Sequence, residues 1–498
     1  MCTNTKHIRP KSIYPNALYD LASVEVPCYK CDECREQYRH EWLNRLCFEY
    51  YANKGGCCVF LTFTYNDEHL PHYIDETYIL DNNTPFSVAC FCREHILSFL
   101  QTLKRYYIKR YACVPFKYFI ACEYGHTTKR PHYHALFFLH DVLASDWQTF
   151  CEVCREIWST TIFVGSPVTN IESKHYGFMF PNLVGARLSN GKVVGGQYLD
   201  NKGKDRSPLI RDSVGGMLYC SKYVLKDLAY FTPTVNDYIA NALPDKVEEF
   251  KRVLPKHWQS NKLGYSALDV VRSNVESAIN TGIPNPLTLK KVAIPSYVAN
   301  KLLYYNVFNG RFSDAGKKLY DRYLTDFGEK YLTKIFKLRI ERLSEKMYVY
   351  FQQILNTSRS ALANIGIDLV TAKPADFVPL ALFHSFIKNL KPTLLDEILS
   401  EHYGSFTDLF DVDLIAPYYY RTKSTKYKKE HPSFYTESLR LCHFDYIEFF
   451  KHYEVADSLF KELALLKNTE ILKKQTYNFN QKVETNEKYT YGFPLDLC

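Results

Sequence analysis

The segment YCSKYVLK, residues 219–226, repeats Tyr-x-x-Lys twice without a gap. The 498-residue chain is rich in tyrosine, with 41 copies, yet only about 0.02 occurrences of this doubled pattern are expected by chance. On a helix, Tyr219 and Tyr223 lie one turn apart on the same face, so both phenols can reach one site. Lys222 and Lys226 form a second row beside them. A phenol of pKa about 10 is a weak nucleophile unless its electrophile is already polarised by positive charge. A metal ion supplies such charge most directly.

RPHYHALFF offers the ligands. On a strand, His132 and His134 point to one face, and two imidazoles at that spacing can bind one divalent ion. The pair alone is weak: with 16 His, H-x-H is expected about 0.5 times by chance. The apolar strand around it raises the odds, because histidines buried there need a polar partner or purpose. His140 has the right parity as a third ligand but stands about 20 Å farther along the strand. Glu123 ends the preceding strand, and a hairpin through GHTTKRP returns the chain opposite 132–134. Register is left open, since a one-residue slip turns Glu123 to the other face.

The elements that must position these groups are legible in outline. The stretch 34–54 reads as an amphipathic helix and CCVFLTFTYN (57–66) as a strand. A helix follows over 92–111, then strands FKYFIACEY and HYHALFFL, then a helix over 145–158 capped by Ser145. TTIFVG (160–165) reads as a further strand, residues 171–212 as a Gly- and Asn-rich insertion, and 215–231 as a helix opening after two glycines. The order β, α, β, β, α, β, α predicts an α+β domain with one largely antiparallel sheet and helices on a face. Four segments are expected: a Cys-containing segment and helix (1–55), the chemical domain (56–232), a linker with a helical extension (233–310), and a mainly helical C-terminal domain (311–498).

Bulk properties are consistent with that division. Hydrophobic residues make up 46% of the chain, enough for several cores. No apolar run approaches a membrane span and the N-terminus lacks a signal-peptide core, so no membrane partner and a cytosolic location are expected. A net charge of +8 is modest over this length, so any nucleic-acid surface must come from local clusters. The 16 cysteines are expected to be thiols or metal ligands in a reducing compartment. There is no Walker A motif, because GARLSNGKV has the wrong spacing and lacks the Ser or Thr after Gly-Lys.

FLTFTY on a strand, Glu123 and HYH on a hairpin, and YCSKYVLK on a helix together resemble the three ordered motifs of HUH endonucleases that initiate rolling-circle replication. The doubled tyrosine pattern is similar to that of the two-tyrosine replication initiators of microviruses, the small single-stranded DNA phages. CYKCDECR (28–35) and IPSYVANKL (294–302) also resemble stretches of those proteins, so the likeness covers roughly residues 25–305. It implies Mg²⁺ or Mn²⁺ held by Glu123, His132 and His134. It further implies a nick that leaves a 5′-phosphotyrosine and a free 3′-OH, and alternating use of two tyrosines. Origin DNA, single-stranded or supercoiled, is the implied partner, with a host helicase and polymerase in the bacterial cytoplasm.

Supporting features carry bland readings too. Between 103 and 130 basic and aromatic residues interleave, a pattern that can pair phosphates and stack bases, although many such rings belong to cores. Thr62, Thr64 and Arg130 are candidate DNA contacts or supports of the site; for the threonines, β propensity explains them equally well. Cys28, Cys31 and Cys34 are compact enough for structural Zn²⁺ but one thiolate short, with His40, Cys57 or Cys58 as completing ligand. The basic stretch 418–431 is a DNA or partner surface, or else a solvated loop. Competing functions are a plasmid initiator or mobilisation relaxase with the same chemistry, and a non-catalytic DNA-binding protein.

Overall fold

A computed structural model describes residues 6–8, 24–26, 32–125, 130–161, 163, 165, 167–171, 173–200, 202–210, 213–222, 233–313, 316–390, 395, 398–399, 406–421, 448–467 and 469–470. The described parts of Tyr38–Arg272 and Ile283–Pro295 form one unit; those of Met1–Gln37, Ser273–Gly282 and Ser296–Lys482 form another.

In the first unit, strand Cys57–Tyr65 is apolar or threonine at nearly every position because both faces of its sheet are covered. The sheet has five antiparallel strands in the spatial order His257–Gln259, Phe116–Tyr124, Pro131–Leu139, Cys57–Tyr65, Gly177–Phe180. Side chains alternate between two cores. Val59, Leu61, Phe63, Ile120, Tyr133, Ala135 and Phe137 face helices Arg93–Tyr111 and Trp147–Trp158. Cys58, Phe119, Ala121, Leu136 and Phe138 face helix Asp32–Ala52 through Trp42, Leu46 and Cys47, and Met217 joins this second cluster. Each fully buried aliphatic or aromatic side chain contributes about 1.5–3 kcal/mol of transfer free energy, opposed by the entropy of ordering the chain.

Helix Arg93–Tyr111 has Glu94 in its first turn and Lys109 and Arg110 in its last, complementing the macrodipole. It ends at Ala112 in the left-handed region, φ 56°. On the opposite face, Trp42 stacks against Phe119 at 4.8 Å. Glu49 accepts from Lys117 at 2.9 Å and from the Gly264 amide at 2.8 Å, tying helix, sheet and a following loop together.

Several expectations are corrected here. TTIFVG is not a strand among its described residues; the edge position goes to Gly177–Phe180, inside the stretch read as an insertion. A Cβ at Gly177 would lie 2.1 Å from the Thr64 carbonyl oxygen, so only glycine permits that close pairing. The insertion is also part of the core: Leu183, Val193 and Tyr198 pack against the helix-covered face. The helix expected to open after two glycines starts at Ser213 and includes them; a Cβ at Gly216 would meet Ile210 at 2.6 Å. Asp146, not Ser145, occupies the N-cap of Trp147–Trp158, and its carboxylate accepts from the Thr149 hydroxyl. The hairpin His72–Ile79/Pro85–Ala89 and the edge strand His257–Gln259 were not anticipated.

In the second unit, helix Asp326–Gln352 is capped by Thr325, whose hydroxyl accepts from the Gly328 amide at 2.9 Å. Its buried Phe336, Ile340, Leu343, Met347 and Phe351 recur at helical spacing and pack with Leu380, Phe383, Ile415 and Phe460. The helical character expected of 311–498 holds over the described residues, except that Tyr304–Phe312 and Lys318–Leu324 form a two-stranded hairpin with Phe308, Phe312 and Tyr320 exposed. Among the described residues no helix is long and apolar enough to cross a membrane.

Candidate active site

The histidine strand Pro131–Leu139 is the middle strand of the five, and its partners settle the register left open by the sequence. Glu123 stands opposite His132, and Ala121 opposite His134. On the other side Thr64 stands opposite His132 and Thr62 opposite His134. Directly paired residues project to the same face. Glu123, His132, His134, Thr62 and Thr64 therefore share the face that carries Met217.

The contacts within this group are short. His134 Nε2 lies 2.6 Å from Glu123 Oε2, and His134 Nδ1 lies 3.1 Å from Thr62 Oγ1. A threonine hydroxyl can donate or accept, so it supports either imidazole tautomer. Phe60, two residues before Thr62, stacks parallel on the His134 ring at 5.7 Å. Thr64 is buried, and its carbonyl accepts from Trp158 Nε1 at 3.1 Å.

His132 differs from its neighbour. Its Nδ1 is buried and has no hydrogen-bond partner. Burial, reinforced by His134, pushes its pKa down to about 4, so the ring is neutral at neutral pH. A neutral imidazole with an unsatisfied nitrogen is a lone pair waiting for a donor or a cation. Gly125 leaves room for the ring: a Cβ there would sit 2.8 Å from His132 Nε2.

Two imidazoles and a carboxylate on one face, one imidazole nitrogen orphaned, fit a divalent cation in donor chemistry. As placed, Glu123 and His134 bond to each other, and among the described residues no group of three or more His, Cys, Asp or Glu surrounds a common point. Holding a cation requires the 2.6 Å contact to open.

The tyrosine helix is placed through its first half. Ile210 donates to the Cys58 carbonyl and Leu209 bridges Val59, which pins the segment entering the helix to the strand Cys57–Tyr65. Met217 then enters the cluster on the histidine face, and Ser221, one turn later, is also fully buried. Tyr219 and Lys222 belong to the helix Ser213–Lys222 by backbone. Their side chains, and the whole of Tyr223 and Lys226, lie outside the described residues.

Arg130 bonds the exposed Asp67 carboxylate and donates to the Tyr65 carbonyl at 3.1 Å, so it braces the strand end next to the histidines. Of the 103–130 stretch, Tyr107, Phe116 and Tyr118 are core, while Arg105, Lys109 and Arg110 are exposed. Cys28 and Cys31 lie outside the described residues; Cys34 is buried and His40 exposed. Burial raises the Cys57 thiol to about 11, which keeps it protonated. Of the basic stretch 418–431, only 418–421 is described.

Sequence reasoning missed Phe60, Gly125 and Asp67 as neighbours of the site. Phe60 shares the parity of Thr62 and could have been found by alternation; Gly125 and Asp67 carry no signal without the register.

Comparison with known proteins points to a class. The family model for the ORF2-type replication-associated protein matches residues 58–176, which include the sheet strands carrying Glu123, His132 and His134 and stop short of the tyrosine helix. Two curated proteins are similar over the same kind of span. The chain is 36% identical over 118 residues to replication-associated protein ORF2 of Spiroplasma virus 4, covering 24% of this chain and 33% of the relative. It is 34% identical over 119 residues to replication-associated protein VP4 of Bdellovibrio phage phiMH2K, again 24% and 33%. The match thus spans about a third of those relatives' length. No solved structure matches the chain.

Proposed function

We propose that the protein initiates rolling-circle replication of a small single-stranded DNA phage by nicking one strand at the origin and later rejoining it. The observation that carries the reading is the row of Glu123, His132 and Thr64 across the sheet, with His134 and Thr62 beside it, on the face that also receives Met217 of the tyrosine helix. The likeness of residues 58–176 to phage replication-associated proteins supports the replication role.

Glu123, His132 and His134 would hold Mg²⁺ or Mn²⁺, which when bound supplies positive charge to the scissile phosphate. His132 contributes a neutral nitrogen because its burial keeps the proton off. Thr62 fixes the His134 ring. Tyr219 or Tyr223 forms the new P–O bond as the P–O3′ bond breaks. The phenol loses its proton, and the leaving oxygen gains one to become a 3′-OH. One phosphodiester replaces another, so the exchange needs no ATP. Lys222 and Lys226 would pair with phosphate oxygens near the tyrosines. The second tyrosine then attacks the regenerated origin, and the freed 3′-OH resolves the first link. Strand separation and synthesis fall to a host helicase and polymerase in the bacterial cytoplasm.

The test is incubation with single-stranded origin DNA and Mn²⁺. The expected product is a denaturation-resistant protein–DNA adduct that a Tyr219→Phe/Tyr223→Phe double variant fails to form. Tight binding without any adduct would establish a non-catalytic DNA-binding protein instead.

A further inference from the structure

We infer that the edge strand Gly177–Phe180 carries the platform for an unpaired base beside the scissile phosphate, with Phe178 as the ring on which it stacks. The inference rests on reading Glu123, His132 and His134 as the phosphate site. Glu123, His132, Thr64 and Phe178 are successive partners across four adjacent strands, so all four side chains leave the same face in one row. At a strand spacing of about 4.8 Å, Phe178 stands about 10 Å from His132, a gap that one nucleotide spans.

A single exposed apolar side chain normally needs no explanation. Phe178 is distinguished by its surroundings. It is 40% exposed, whereas the adjacent Met179 is fully buried on the opposite face. Its backbone is held from both sides: Gly177 closes against Thr64, and the buried Arg155 guanidinium donates to the carbonyls of Met179 and Pro181. A rigid, exposed ring on a fixed strand loses little entropy when a base stacks on it.

The row also leads to a place for the next phosphate. A polar pocket of about 570 Å³ opens at the start of the edge strand, lined by Glu68, His69, Thr160, Ser173, Lys174 and His175. Lys174 is exposed and has no ion pair among the described residues. His175 adopts φ 52°, a left-handed conformation uncommon for a non-glycine residue. Donors predominate in this pocket and Glu68 adds one acceptor, a lining that suits a phosphate with a base edge nearby.

The experiment measures binding of fluorescein-labelled (dT)15 and, separately, intrinsic tryptophan fluorescence. Phe178→Ala should raise Kd roughly 5- to 150-fold, the equivalent of losing one base–aromatic stack. Phe178→Tyr should stay near wild type. Phe178→Trp should show fluorescence quenching on (dT)15 that wild type lacks. Wild-type affinity in Phe178→Ala, or a Phe178→Trp signal indifferent to DNA, overturns the platform. The two readings fail separately: normal adduct formation with Phe178-independent binding removes only the platform, whereas Phe178-dependent binding without any adduct removes only the nickase.

Discussion

Replacing Thr62 with valine keeps the β-branched shape and removes one hydroxyl, the group 3.1 Å from His134 Nδ1. As placed, Nε2 faces Glu123 Oε2 at 2.6 Å and carries the proton of a neutral ring, which leaves Nδ1 to accept from Thr62. When Nε2 turns to a cation instead, the proton moves to Nδ1 and Thr62 becomes the acceptor. The hydroxyl serves both arrangements, and valine serves neither. The fold should lose only about 1 kcal/mol, the usual net worth of one hydrogen bond. The site should lose more, because removing the partner that orients a metal-binding histidine typically costs 10- to 100-fold in metal affinity or activity, about 1.4–2.7 kcal/mol. The assay is the initial rate of covalent adduct formation against Mn²⁺ concentration. Thr62→Val should shift the half-saturating concentration upward by about that factor, and Thr62→Ser should restore it. A Thr62→Val protein with an unchanged Mn²⁺ profile would refute the assignment of His134 as a ligand oriented by this hydroxyl.

Arg155→Met should destabilise the first unit by about 3–5 kcal/mol, because the Glu152 carboxylate and two edge-strand carbonyls lose their buried donor; urea unfolding measures it, and adding Glu152→Leu should recover much of the loss. Gly125→Ala should push the His132 ring from its position and suppress adduct formation at least 10-fold, while leaving the circular dichroism spectrum unchanged. His257 stays neutral in the fold down to a pKa of about 4, held there by burial and then by Arg45, against 6.5 for an unperturbed ring. The unfolded chain therefore binds the extra proton between those values, so stability falls as pH drops from 6.5 to about 4. The loss attributable to this partly exposed ring is about 1–3 kcal/mol, and urea midpoints of His257→Phe should decline less steeply across that window.

The strands around the site were legible because their residues obey a strong local rule. FKYFIACEY and HYHALFFL are β-rich on both faces and separated by a polar turn, so they had to pair as a hairpin. The register between them was not legible: Glu123 opposite His132 is decided by turn geometry that shifts every partner if it slips by one. The edge strand escaped for another reason. GFMF is only four residues long, and its place depends on a backbone approach that Gly177 alone allows. TTIFVG, with better strand propensity, lost to it because tertiary contact outranks local preference. The second unit illustrates the same limit, where strands Tyr304–Phe312 and Lys318–Leu324 form a hairpin amid helical periodicity.

The chain leaves the edge strand at Phe180 opposite Thr62 and returns at Leu209 opposite Val59, so both ends of the excursion are fastened to one strand. Two anchors on a common rail make the path between them independent of its own length. Linear separation between the histidines and the first tyrosine consequently says little about their spatial relation, and related chains can lengthen or trim the outer turns around Gly185, Gly191 and Gly203 without dislodging the helix that follows.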